Sequence, residues 1–210
     1  MSEFIFPFNT CETANIEGIA QPYSVFFNVL NCIIVFVFLL KTTNFYTMVL
    51  LGSIFSFELF HTFSHVIHIE GSLQTNIAHI LAYFVNFSFL YAFYSYTKQA
   101  PNLSFILYLV LLIGIDIYFF MTSSIFYYLT SQSLIFISLF LYYFSLLPKF
   151  VQNNIYKILF SVGLVILLLL NEIFNCKSML EFYPHFPYHI FIEIAGIIAF
   201  YVISSTFYRL

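Results

Sequence analysis

Seven long apolar stretches follow one another along this chain, separated only by short polar breaks. They span residues 22–40, 44–69, 75–96, 103–121, 125–147, 154–174 and 187–208. Each is close to the roughly 20 residues that a helix needs to cross a hydrocarbon layer about 30 Å thick. Of the 210 residues, 62% are hydrophobic and only 7% are charged, whereas a soluble domain carries about 25% charged residues. Fifteen charges cannot coat the surface of a water-soluble globule of this size. The pattern excludes a cytoplasmic enzyme, a secreted disulfide scaffold, a nucleic-acid binder and a disordered chain. It predicts an all-α polytopic membrane protein, with an N-terminal segment over 1–21 and a single seven-helix transmembrane domain over 22–208.

Basic residues give the orientation, because Lys and Arg gather in cytosolic loops. Lys41 follows the first stretch, Lys98 the third, Lys149 the fifth (with Lys157 nearby) and Arg209 the seventh. Lys177 alone falls on the other side, in company with Glu3, Glu12, Glu17, Glu70 and Glu181. Five of six basic residues therefore share a side if there are seven spans. The N-terminus is expected to be lumenal or extracellular and the C-terminus cytosolic. Residues 1–21 lack the basic start and long apolar run of a signal peptide.

An ionisable group at the centre of a bilayer costs about 2.5–3.5 kcal/mol on insertion scales, so such residues usually face the bundle interior and serve a function. Here they collect toward the lumenal ends of the stretches. The second carries Glu58, His61, Ser64, His65 and His68, and the third begins with His79. The fourth ends with Asp116 and the sixth with Asn171 and Glu172. The seventh begins with His185, His189 and Glu193, while the first adds Ser24, Asn28 and Asn31. His61, His65 and His68 lie at i, i+4 and i+7 on one helical face, and His185, His189 and Glu193 at i, i+4 and i+8 form a second stripe. Nitrogen and carboxylate ligands from facing helices suit a four-coordinate zinc ion. Zinc in such a place supports hydrolytic chemistry. Single histidines can equally serve as hydrogen bonds between packed helices.

The chain has three cysteines. Cys32 lies within the first stretch and reads as a small buried apolar residue. Cys11 and Cys176 both fall on the lumenal side, where a disulfide or two free thiols are both compatible with their placement.

Several short segments together resemble the alkaline ceramidases and the wider superfamily of seven-helix membrane hydrolases that includes adiponectin-receptor and haemolysin-III-like proteins. Cys11-Glu12 followed by Asn15 is similar to the family's lumenal Cys-Glu-x-Asn segment, with one residue more. Glu172-Ile-Phe-Asn-Cys176 resembles the family's end of helix 6. Ser64-x-x-x-His68 has the spacing of the helix-2 serine and zinc ligand, and His185-x-x-x-His189 that of the helix-7 pair, followed by Ala195 and Gly196. The chain departs from the family where an aspartate would stand eleven residues after His68, since that position is His79. The segment around His61 also resembles the receptor-type ligand segment, with the serine displaced to Ser56.

The resemblance implies a Cys11–Cys176 disulfide and a Zn²⁺-dependent intramembrane hydrolase acting on a lipid amide or ester. Zinc would be held by His68 (or His61 and His65), His189, and either His185 or Glu193. Ser64 would stabilise the oxyanion, and His79 or Glu193 would shuttle the proton. A Ca²⁺ ion near Glu12 and Glu17 and a location in endoplasmic reticulum, Golgi or plasma membrane belong to the same expectation. The polar residues alone leave open a proton or metal transporter, a haem protein with facing histidines, and an inert seven-helix protein.

Overall fold

The computed structural model describes residues 11, 12, 15, 17–67, 73–97, 103–122, 134 and 137–209. All regular structure among them is helical: α1 (Pro22–Leu39), α2 (Phe45–Val66), α3 (Leu73–Thr97), α4 (Leu103–Thr122), α5 (Ile137–Leu146, whose last turn is 3₁₀), α6 (Lys149–Phe182) and α7 (Ile190–Phe207). Five of these, α1, α2, α3, α6 and α7, are long and apolar enough to cross a membrane. Among the described residues, α4 and α5 contain the apolar runs Ile106–Tyr118 and Ile137–Leu146. The expected polar breaks near 70–72, 98–101 and 122–124 fall wholly or largely outside the described residues, as does His68.

Local chemistry sets the helix starts. Pro22 opens α1 at a position where its missing N–H is not needed. The Asn44 side chain caps α2, its Oδ1 accepting from the amides of Tyr46 at 2.9 Å and Thr47 at 3.2 Å. Pro148 starts α6, and its carbonyl accepts from the amides of Val151 and Gln152.

The extent of α6 corrects the sequence reading, which placed a break through Asn154 and an end at Phe174. The helix has 34 residues, about 51 Å at 1.5 Å per residue. Proline forbids helix only on its N-terminal side, so Lys149, Gln152, Asn153 and Asn154 form the first turns instead of a loop. At the other end Lys177, Met179, Leu180 and Glu181 are good helix formers and carry the helix on to Phe182. Cys176 therefore lies within α6 and not after it.

α1 packs on both α2 and α7, α2 also on α3, α7 also on α6, and α4 on α3. One end of this bundle is mainly apolar, built from Val35, Leu50, Leu51, Leu90, Phe93, Phe140, Tyr143, Val151 and Phe207. Rings interlock there: Phe93 meets Phe140 edge-on at 5.1 Å, and Tyr96 stacks on Phe207 at 5.6 Å. Aromatic pairs of this kind are worth about 0.5–1.5 kcal/mol beyond burial. The opposite end buries polar side chains instead, among them Ser24, Asn28, Asn31, Glu58, His65, Glu172, His189 and Glu193. The described residues of the N-terminal segment, Cys11, Glu12, Asn15 and 17–21, lie across that end. They are tied by a disulfide between Cys11 and Cys176 (Cα–Cα 5.5 Å) and by the Gln21 amide donating to the His65 carbonyl at 3.0 Å.

Candidate metal centre

Two helices supply the cluster in pairs one turn apart. On α2, His61 and His65 share a face; on α7, His189 stands at the N-cap and Glu193 one turn later. One ligand atom from each of His61, His65, His189 and Glu193 lies within 4.8 Å of the others. The Nε2 atoms of His61 and His65 are 3.0 Å apart. Glu193 Oε1 stands 3.9 Å from His61 Nε2, 3.7 Å from His65 Nε2 and 2.9 Å from His189 Nε2. A tetrahedral zinc ion with bonds of about 2.0–2.1 Å separates its ligands by about 3.3 Å. These spacings bracket that edge.

The outer hydrogen bonds decide which nitrogen of each ring faces inward. Glu172 can only accept, so His189 Nδ1 donates to it, with Oε2 at 2.9 Å and Oε1 at 3.2 Å. In its neutral form His189 therefore presents an Nε2 lone pair to the cluster. For His65, Nδ1 is 2.5 Å from Gln21 Oε1, and the Gln21 amide is oriented by its own donation from Nε2 to the Glu12 carbonyl at 2.8 Å. His65 Nδ1 is thus a donor, and its Nε2 lone pair also faces inward. His61 Nδ1 lies 3.8 Å from Glu58 Oε2, the same arrangement at longer range. Metal-binding histidines commonly give their second nitrogen to a carboxylate or carbonyl in this way.

Asn31 Nδ2 reaches Glu193 Oε2 at 3.4 Å, leaving Oε1 turned to the centre. His189 Nε2 and Glu193 Oε1 are buried and, although close, make no well-directed hydrogen bond. Imidazole nitrogens and a carboxylate oxygen thus meet around one buried point, where a bound cation would stabilise them together. The donor set fits zinc or another first-row divalent ion.

Of the residues singled out from sequence, His61, His65, His189 and Glu193 come together. His185 does not: it is exposed, has a φ of 68°, and precedes α7, separated from it by Pro187. It lines a cavity of about 140 Å³ with Glu12, Asn15, Pro22, Tyr23 and Pro187. Ser64 is buried, but its hydroxyl donates to the Phe60 carbonyl at 2.9 Å on its own helix. His79 is buried on α3, stacked on Tyr83 at 6.2 Å, and Tyr83 in turn donates to the Asp116 carbonyl at 2.7 Å. Glu12 accepts from the Ser24 hydroxyl, and Glu17 is exposed.

Sequence reasoning placed Glu172 at the right depth without a role and passed over Gln21. Glu172 left a signal, as an acid in an apolar stretch. Gln21 left none, because it precedes the first apolar run and belongs to no periodic pattern. No known family profile, curated protein sequence or solved structure matches the chain.

Proposed function

We propose that this chain is an integral membrane hydrolase that uses zinc to cleave a lipid amide or ester, a divergent relative of the alkaline ceramidases. The observation that carries the reading is the convergence of His61, His65, His189 and Glu193 within 4.8 Å, with the rings of His65 and His189 turned so that Nε2 faces inward. The Cys11–Cys176 disulfide supports it, because it joins the two segments that the resemblance pairs. It also suits the proposed lumenal or extracellular side, since disulfides persist in oxidising compartments.

In this reading His61, His65 and His189 hold the zinc ion. When bound, zinc supplies a Lewis acid beside the substrate carbonyl. Glu193, steadied by Asn31, takes the proton of the attacking water and returns it to the leaving amine or alcohol. Ser64 spends its hydroxyl on Phe60, so the oxyanion donor is assigned to Asn28, whose buried side chain reaches Glu193. The acyl chain reaches the site laterally from the bilayer.

Metal analysis of the purified protein, together with acyl release from a panel of N-acyl sphingoid bases and acyl esters, tests the proposal. One equivalent of zinc and fatty-acid release, both lost in His189→Ala, is the expected result. Protein that holds no zinc and releases no acyl chain from any of these lipids overturns it.

A further inference from the structure

We propose that Gln21 and the disulfide-anchored pair Cys11-Glu12 are positioning residues of the metal centre, fixing the rings of His65 and His189 from outside it. The proposal rests on the reading that the cluster binds metal.

The connection runs through few atoms. His65 Nδ1 donates to Gln21 Oε1 at 2.5 Å, and Gln21 Nε2 donates to the Glu12 carbonyl at 2.8 Å. One residue earlier, the Cys11 amide donates to Glu172 Oε1, and Glu172 accepts from His189 Nδ1. The Cys11 carbonyl accepts from the Tyr188 amide at 3.1 Å, next to His189 in the chain. Two consecutive residues of the N-terminal segment thus serve both histidines, Glu12 through Gln21 at the start of α1 and Cys11 through Glu172 on α6. All are withdrawn from water: Cys11 and Gln21 are 0% exposed, Glu172 4% and Glu12 5%.

The Gln21 amide cannot be turned round. A flip would set its NH₂ against His65 Nδ1 and its oxygen against the Glu12 carbonyl, acceptor against acceptor. The only arrangement that satisfies both neighbours makes His65 Nδ1 a donor. The disulfide keeps the segment there, because Cys176 follows Glu172 by one helical turn. Partners of this kind typically change metal affinity 10–100-fold when removed.

The experiment compares the full-length chain in nanodiscs with Gln21→Met, Gln21→Glu and the double variant Cys11→Ser, Cys176→Ser. Zinc affinity is read by competition with a chelator, and ring tautomers by ¹⁵N spectra of labelled histidine in the metal-free protein. Gln21→Met and the double serine variant are expected to weaken zinc about 10–100-fold and to mix the tautomers of His65 and His189 respectively. Gln21→Glu, which keeps an acceptor toward His65 but sets its second oxygen against the Glu12 carbonyl, is expected to keep the His65 tautomer fixed and to weaken zinc less than Gln21→Met. Unchanged affinity and unchanged tautomers in Gln21→Met overturn the positioning role while leaving the hydrolase reading intact. If the parent chain binds no zinc, the hydrolase reading falls and the tautomers decide. A fixed Nδ1–H on His65 that is lost in Gln21→Met sustains the positioning role, and a mixed tautomer in the parent chain overturns it.

Discussion

Gly196 on α7 and Asn31 on α1 meet so closely that a Cβ built on the glycine would stand 3.3 Å from Asn31 Nδ2. That nitrogen also contacts Asn28 Oδ1 at 3.2 Å and Glu193 Oε2 at 3.4 Å. A methyl group here pushes Asn31 off the carboxylate by a few tenths of an ångström. Gly196→Ala gains about 1 kcal/mol of helix propensity and loses a comparable amount to crowding. Its melting temperature is therefore expected to stay near that of the parent while acyl release slows. An unaltered rate of release would mean that Asn31 does not steady Glu193.

The cluster separates histidines that the sequence treats alike. Replacing His65 or His189 by alanine is expected to abolish stoichiometric zinc binding. His185→Ala is expected to leave it unchanged, since that residue is exposed and precedes α7. His79, on α3 and stacked on Tyr83, is also expected to be dispensable for metal. Metal content by mass spectrometry on the four variants checks the assignment, and zinc lost with His185 would refute it.

Glu12 gives the N-terminal segment a pH dependence. Burial pushes its carboxyl above the ordinary value of 4.5, against the opposing hydrogen bond from Ser24. Between 4.5 and that raised value the folded chain holds a proton that the unfolded chain has released. Stability therefore falls as pH rises through this window. Glu12→Gln removes the dependence, so its melting temperature should gain on the parent as pH rises and match it most closely below the window. Thermal melts from pH 4 to 8 measure this. A difference that does not vary with pH would count against the burial argument.

The disulfide closes a sequence separation of 165 residues. Removing a native disulfide costs about 2–5 kcal/mol in small secreted domains. A denatured chain whose helices stay in a bilayer is already confined, so the expected loss lies near the lower figure. Reversible unfolding of the Cys11→Ser, Cys176→Ser variant in mixed micelles checks it, and a loss at the top of the range would show a more expanded denatured state.

The helices were legible because apolar runs and short breaks report backbone burial directly. The shared depth of His61, His65, His189 and Glu193 was legible for the same reason, since charge is rare in such runs. The role of His185 was half legible, because Pro187 stands between it and the helix and Glu193 offered itself as the alternative ligand. Its spacing from His189 satisfies a helical stripe, yet the backbone at His185 adopts a positive φ instead of helix. The length of α6 was hidden by Asn153 and Asn154, which look like loop residues but lie in its opening turns. Gln21 was invisible because its importance comes from one hydrogen bond to a residue distant in sequence.

The cluster takes two residues from α2 and two from the start of α7. A ribosome delivers α2 early and α7 after every other helix described, so for most of synthesis His61 and His65 face no partner. Cys176, in α6, likewise arrives long after Cys11. Assembly of the cluster and closure of the disulfide are therefore late events in the life of the chain. A truncated nascent product, however well inserted, carries half a site and no covalent clasp.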